Sequence, residues 1–435
     1  MMERLFEKAK QVGGQAEIYS LEQQSDQIHF ENGRLKDIES KIQSGISLRI
    51  IKNGCLGFAY TKNLLDPEDL LQQALDSLKG KVEASFDFPQ NASFASLPAY
   101  DPLLEGLPNS ALAEEGERVC EYLASRVQAQ VNVSIHREVY QNRLLNSRGF
   151  DQSLKSSSYF LNASVLFPGS QSGLDRHILE KGFRRFPEEK MDFLQIIFNQ
   201  SLKEVELRAG KMKTLFLPET LYALIWRIQA AANGKNIYEK TSPLRGKIGA
   251  PLFDPKITLY DDPLNDKQPL ARSFDDEGTR CRWFPIIEQG VLKNYYYDLY
   301  YAGKMKGPST GHGFKSAMWG GETIALKPRP SLEYLYLKPG KHSFWDLVKS
   351  IDRGILVAGV LGAHSGNILN GDFSIGLAPG IYVENGEVVG RVKEAMAAGN
   401  IYDTLREVVA LEDITHPTYG GTFPAILLDR INLAL

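Results

Sequence analysis

Three cysteines, Cys55, Cys120 and Cys281, are all that 435 residues contain. An odd, widely spaced set of thiols builds no disulfide framework and suits a reducing compartment. No two of them stand at zinc-ligand spacing, and no HExxH occurs. Runs of about 18 apolar residues are missing, so no membrane span is expected. The opening MMERLFEKAKQVGG reads as a charged amphipathic helix without the apolar centre of a signal peptide, and a cytoplasmic protein is expected. An excess of one charge is also absent. Lys and Arg number 50 against 53 Asp and Glu, for a formal net charge of -3, and the basic residues are spread along the chain. Direct nucleic-acid binding is therefore not expected.

Familiar catalytic patterns are missing too. No GxxxxGK[ST] is present, and GHGFKS (311–316) fails it in glycine spacing. His136 and Glu138 form an H-x-E in IHREVY, but no PCxxC follows, which excludes the zinc-deaminase pattern. Alternation in that segment predicts a strand with exposed polar residues.

Hairpin turns are plentiful. ENG (31–33), KNG (52–54), EQG (288–290) and ENG (384–386) each lie between β-forming segments, and X-Gly pairs of this kind take the positive φ of tight hairpins. Helices fall between them. DPEDLLQQALDSLKG (66–80) offers Asp66 as N-cap and Pro67 at the first helical position. PEEKMDFLQIIFNQSLKEVELRAG (187–210) opens with Pro and acids and closes with Gly210. HSFWDLVKSIDRG (342–354) sets Ser343 three residues before Asp346, a capping box. Hairpins and helices do not alternate as βαβ units, so the class is α+β. The length predicts two domains. We place an N-terminal α+β domain at 1–210, with an irregular connection at 84–108, and a β-rich C-terminal domain at 211–435, starting near the strand KMKTLFL.

In AHSGNILNGDFSIG (363–376) His364 stands next to Ser365, Asp372 follows, and glycines surround them. If it is extended, His364 and Ser365 face opposite sides and cannot act as base and nucleophile. No G-x-S-x-G elbow is present. Gly371 and Gly376 are read as structural glycines that permit turns or close backbone approach.

Several blocks resemble the TldD/PmbA family. They are GDFSIGLAPGIYVENGEV (371–388), AAGNIYDTLREVVAL (397–411), FDDEGTRCRWFPIIEQGVLKNYYYDLYYAGKM (274–305), PSTGHG (308–313), SGISLRIIKNGCLGFAY (44–60) and LLNSRGF (144–150). The resemblance implies a PmbA/TldD-like fold and a metallopeptidase built from two related subunits, one carrying HExxxH on a helix and a late cysteine ligand. Counted back from KTSPLRGKIG (240–249), the two histidines would fall near Ile225 and Ala230 and the glutamate near Trp226. The chain has ALIWRIQAAANG (223–234) there, no histidine between His177 and His312, and no cysteine after Cys281. It thus resembles the PmbA/TldE-type subunit without zinc ligands. Leu221, Leu224, Ile225 and Ile228 make an ordinary core stripe on that helix.

The resemblance implies no cofactor in this chain, zinc only in a TldD-type partner, and a heterodimer or homodimer acting on unfolded or leader peptides. An extended peptide could be held as an added strand. His364, Ser365, Asp372 and Asn400 are the candidates for lining or shaping that region, with a purely structural role as the alternative for each. Two rival functions stand beside this one: an autonomous hydrolase built on His364 with Ser365 or Asp372, and a regulator of DNA gyrase, an older name for the family.

Overall fold

A computed structural model describes residues 2–63, 67–317, 320–392 and 394–434. The chain opens into a six-stranded sheet made of β1 (Gln15–Glu31), β2 (Arg34–Lys52), β3 (Cys55–Thr61), β4 (Gln130–Asn146), β5 (Asp151–Leu166) and β6 (Gly173–Glu180), ordered β3-β2-β1-β4-β5-β6. Every neighbour is antiparallel. Period-2 alternation gives the sheet two unlike faces. Ile28, Val133, Ile135 and Leu161 turn into a core shared with the helix Asn109–Ala124. The opposite face is polar, with His29 opposite Ser134 and Gln27 opposite His136.

All four predicted hairpin turns form. Asn32-Gly33, Asn53-Gly54, Gln289-Gly290 and Asn385-Gly386 each have positive φ at both residues, from 48° to 79°. Those dihedrals match the twist of the flanking strands. The helix Pro67–Ser77 runs on into a 3-10 turn at Leu78–Gly80, and its expected cap Asp66 lies outside the described residues. Ser343 caps the helix Phe344–Lys349 through the Asp346 backbone N–H, as its spacing predicts.

The helix expected over 187–210 is shorter, Glu188–Gln200. The Ser201 hydroxyl bonds back to the Ile197 carbonyl at 2.6 Å. Glu204–Val205 then leaves as a strand beside Arg391–Val392, and Arg391 takes the Ser201 and Leu202 carbonyls. Tertiary pairing thus overrides a helical periodicity that runs on in the sequence.

A ten-stranded sheet lies wholly within residues 204–434. Its strand Gly210–Phe216 pairs parallel with Arg353–Val357 and antiparallel with Ile426–Ala434. Both faces are apolar, as buried strands require. Phe216, Ile355, Val357 and Ile426 pack towards the helix Tyr222–Ala232. Leu215, Leu356 and Leu427 pack the other way, into the same core as the N-terminal sheet and the helix Glu188–Gln200. A smaller six-stranded sheet includes Leu259–Asp261 and Phe284–Glu288. The class is α+β. Among the described residues no helix is long and apolar enough to cross a membrane.

Candidate functional site

The helix Tyr222–Ala232 is the axis of the site. Leu221, Leu224, Ile225 and Ile228 are all within 1% of complete burial and fill the core beneath it. Trp226 and Gln229 face outward, each lining two adjoining clefts of about 680 and 610 Å³. Arg329, Ser331 and Leu332 form the wall common to both clefts. Ser316, Glu333 and Tyr419 connect the larger of these with a third cleft, about 640 Å³, under the polar face of the N-terminal sheet. Sharing these residues, the three clefts adjoin as one groove, whose 610 and 640 Å³ parts lie between the two halves of the chain.

His136 and Glu138, expected to face solvent, are half-buried and line that third cleft with His29 and His177. They sit on the strand predicted for IHREVY, but the C-terminal half covers their face. Burial pushes His177 down to about 4, so its ring is neutral near pH 7. Burial also raises the Glu138 carboxyl, and His136 opposes that shift.

AHSGNILN is not a strand. Residues 362–371 form a loop between Val360–Leu361 and Asp372–Leu377. The side chain that holds it is Arg227, which is completely buried on the central helix. Its Nε donates to the Asp372 carbonyl at 2.7 Å, Nη2 to the Ser365 carbonyl at 2.7 Å and Nη1 to the Ala363 carbonyl at 3.1 Å. A further Nη1 bond reaches the Ala223 carbonyl. Burial lowers the Arg227 pKa, and the nearby Asp372 carboxylate opposes that shift. A guanidinium has five donors in a fixed fork, which suits it to gathering several carbonyls at once.

The four candidate residues have separate placements. His364 is exposed and lines the 680 Å³ cleft. Ser365 is held by its backbone, donating its N–H to the Gly362 carbonyl at 2.8 Å while its own carbonyl accepts from Arg227. Asp372 and Asn400 do meet, face to face on paired strands with Asn400 Nδ2 2.9 Å from Asp372 Oδ1. Asn400 also caps the helix Ile401–Thr404 through the Tyr402 N–H. This pair closes a structural clasp and does not line the cleft. Gly371 has φ of +86°, and a Cβ there would come within 2.7 Å of the Tyr402 ring. Gly376 does not need to be glycine in the way expected: it lies in the strand Asp372–Leu377, and a Cβ would sit 3.4 Å from Leu361, an ordinary contact.

A second buried cluster, not anticipated from the sequence, ties the two halves together. Arg49 on β2 bonds Glu17 on β1 and Glu277, both at 2.7 Å, with all three side chains at least 96% buried. Lys315 reaches Ser47 at 2.9 Å and the Leu326 carbonyl at 2.7 Å. Burial, helped by Arg49, pushes Lys315 down to about 7. Burial, helped by Glu277, pushes Asp298 up to about 8. Arg49, Glu277 and Asp298 form the floor of the 610 Å³ cleft. The acidic run Asp275-Asp276-Glu277 was the visible signal, since three adjacent acids need partners if they are buried.

Ile225, Trp226 and Ala230, at the positions where the family resemblance puts two histidines and a glutamate, offer no imidazole, thiolate or carboxylate. Zinc chemistry does not fit these side chains. Among the described residues, no group of three or more His, Cys, Asp or Glu could hold a metal ion.

Comparison with known proteins gives a consistent result. Residues 209–435 match the family described as the PmbA/TldA metallopeptidase C-terminal domain, and residues 16–83 match its domain 1. An uncharacterized protein of Methanocaldococcus jannaschii is 26% identical, covering 95% of each chain. A protein named metalloprotease PmbA homolog from Haemophilus influenzae is 29% identical, covering 66% of this chain and 61% of its own. Among solved structures, a putative modulator of a DNA gyrase from Thermotoga maritima superposes with a TM-score of 0.88 at 25% identity, covering 100% of this chain and 99% of its own. TldE from Thermococcus kodakarensis superposes with a TM-score of 0.91 at 22% identity over 100% of both chains. The chain belongs to the TldD/PmbA family of metallopeptidase-like proteins.

Proposed function

We propose that this protein is the non-catalytic, peptide-binding subunit of a cytoplasmic TldD/TldE-type metallopeptidase complex, whose zinc is carried by a TldD-type HExxxH partner and whose substrates are unfolded or leader peptides. One observation carries the reading. The helix at the head of the groove presents Trp226 and Gln229 to the clefts and sinks Ile225 in the core, so it can contact a bound chain but supplies no imidazole or carboxylate to hold zinc and activate its water. The groove's walls mix aromatic faces with hydrogen-bonding groups, as binding sites do. His364 would contact the bound peptide, and Arg227 would set the loop that presents it. Asp372, Asn400 and Ser365 would shape that loop.

The test mixes purified protein with a TldD-type partner and an unfolded peptide. Cleavage that a chelator stops, seen with the mixture and with neither chain alone, is the expected result. Steady turnover by this chain alone, abolished by His364→Ala, would establish the autonomous hydrolase instead.

A further inference from the structure

We propose that the 610 Å³ cleft selects acidic peptides, and that Lys327 and Arg329 set this preference by receiving carboxylate side chains two residues apart on an extended chain. The proposal rests on the peptide-binding reading above and names the class of peptide. Six charged residues line the cleft: Arg49, Lys235, Lys327, Arg329, Glu277 and Asp298. Glu277 is already matched by Arg49 at 2.7 Å. Burial pushes Asp298 up to about 8, which leaves it largely uncharged near pH 7. Lys235, Lys327 and Arg329 remain. All three are exposed, and among the described residues none of them forms an ion pair. The adjoining 640 Å³ cleft differs, because its Arg272 is paired with Asp276 at 2.7 Å and Glu138 and Glu333 add acid. Unmatched positive charge is thus concentrated in one part of the groove.

The stretch LKPRP (326–330) fixes where two of these charges point. Pro328 and Pro330 are buried, while Lys327 and Arg329 are exposed. Each cation precedes a proline, which favours an extended backbone there. The stretch is also pinned along its length. The Leu326 carbonyl accepts from Lys315 at 2.7 Å, the Pro330 carbonyl accepts from Asn233 at 3.0 Å, and Arg329 pairs with Phe314 in a short ladder. Little ordering entropy is left for these backbone positions to lose on binding. Residues two apart on an extended chain lie about 7 Å apart with side chains on one face. A bound extended peptide repeats its side chains at the same interval, so acids at its positions i and i+2 meet both cations together. Lys235, in the helix Gly234–Tyr238, adds a third positive charge to the same cleft. Proline nitrogens carry no hydrogen to donate, so this wall reads side chains and not backbone. Nucleic acid is the rival polyanion, and a chain of net charge -3 with three such cations in one cleft favours the smaller ligand.

Fluorescence anisotropy on the full chain tests the proposal with labelled probes. They are an unfolded peptide containing Asp-Ala-Asp, the same peptide with Asn-Ala-Asn, its Lys-Ala-Lys counterpart, and a single-stranded DNA oligonucleotide. The acidic peptide is expected to bind roughly tenfold tighter than its amide twin at low salt, and the gap should close as salt is raised. Arg329→Gln should narrow that gap to about threefold. The double variant Lys327→Glu, Arg329→Glu should reverse the preference in favour of the Lys-Ala-Lys peptide. Melting curves check that these exposed substitutions leave the fold intact. Equal binding of the acidic and amide peptides, or a preference that survives the double charge reversal, would overturn the proposal while leaving peptide binding in place. Binding of none of the peptides would overturn the peptide-binding reading along with it. An oligonucleotide that binds more tightly than the acidic peptide, and is lost in the double variant, would assign these cations to nucleic acid instead.

Discussion

Two buried arginines hold this molecule together in opposite ways. Arg49 sits at the seam between the halves and neutralises two carboxylates; burial works to lower its pKa, but the charges and hydrogen bonds of Glu17 and Glu277 outweigh burial and raise it above the ordinary value. Arg227 sits in the central helix and is surrounded by carbonyls, so burial lowers its pKa. One is an electrostatic knot and the other a geometric clasp. Removing the first strands charge, whereas removing the second strands only neutral acceptors beside a solvent-facing loop.

That contrast orders the expected effects. Arg49→Met leaves Glu17 and Glu277 uncompensated in a dry setting and should destabilise by about 3–5 kcal/mol in urea unfolding. Adding Glu17→Gln should recover part of the loss. Arg227→Met should lower stability by about 1–3 kcal/mol, because the freed carbonyls can be partly rehydrated. Its signature is local, with faster amide exchange across 362–371. If Arg227→Met proves the more damaging substitution, the distinction between knot and clasp fails.

Gly371→Ala tests the clasp from the loop side. Its positive φ and the approach to Tyr402 predict about 1–2 kcal/mol of destabilisation, read as a lower Tm. The pH dependence of Asp298 tests the knot. Its folded pKa is raised to about 8, so its contribution to stability is complete below the ordinary carboxylate value near 4 and is lost as pH rises to about 8. The native chain should therefore lose stability relative to Asp298→Asn across that window, and the difference should level off above it. Parallel profiles for the two chains would remove Asp298 from the account. The smallest effect is reserved for Ser365→Ala. Among the described residues only the serine backbone is engaged, so stability should shift by less than about 0.5 kcal/mol and partner-supported cleavage should persist. Lost cleavage at an unchanged Tm would turn the serine hydroxyl into a working group.

The sequence made local structure easiest to read. The four X-Gly turns and the Ser343 cap are short-range devices whose residue types state their own dihedrals and partners. The end of the helix Glu188–Gln200 was not legible, because it depends on Arg391 arriving from far along the chain. The same is true of the site. Asp372 and Asn400 were picked out, but their meeting follows from strand register and makes a clasp. Arg227 was passed over within an apolar stretch, although a lone arginine among buried neighbours was itself a sign that something waits to accept its hydrogen bonds. His136 and Glu138 were read as facing solvent because alternation reveals that a strand has two faces, but not what lies opposite the polar one.

The apolar core that reaches from Ile28 and Ile135 through the helix Glu188–Gln200 to Leu356 and Leu427 has a thermodynamic consequence. Strand pairing separates the chain near residue 204, yet this packing does not stop there. Neither sheet can expose its half of the common layer without uncovering the other, so the two are coupled in one cooperative unit. Scanning calorimetry should record a single heat-absorption peak for the whole chain.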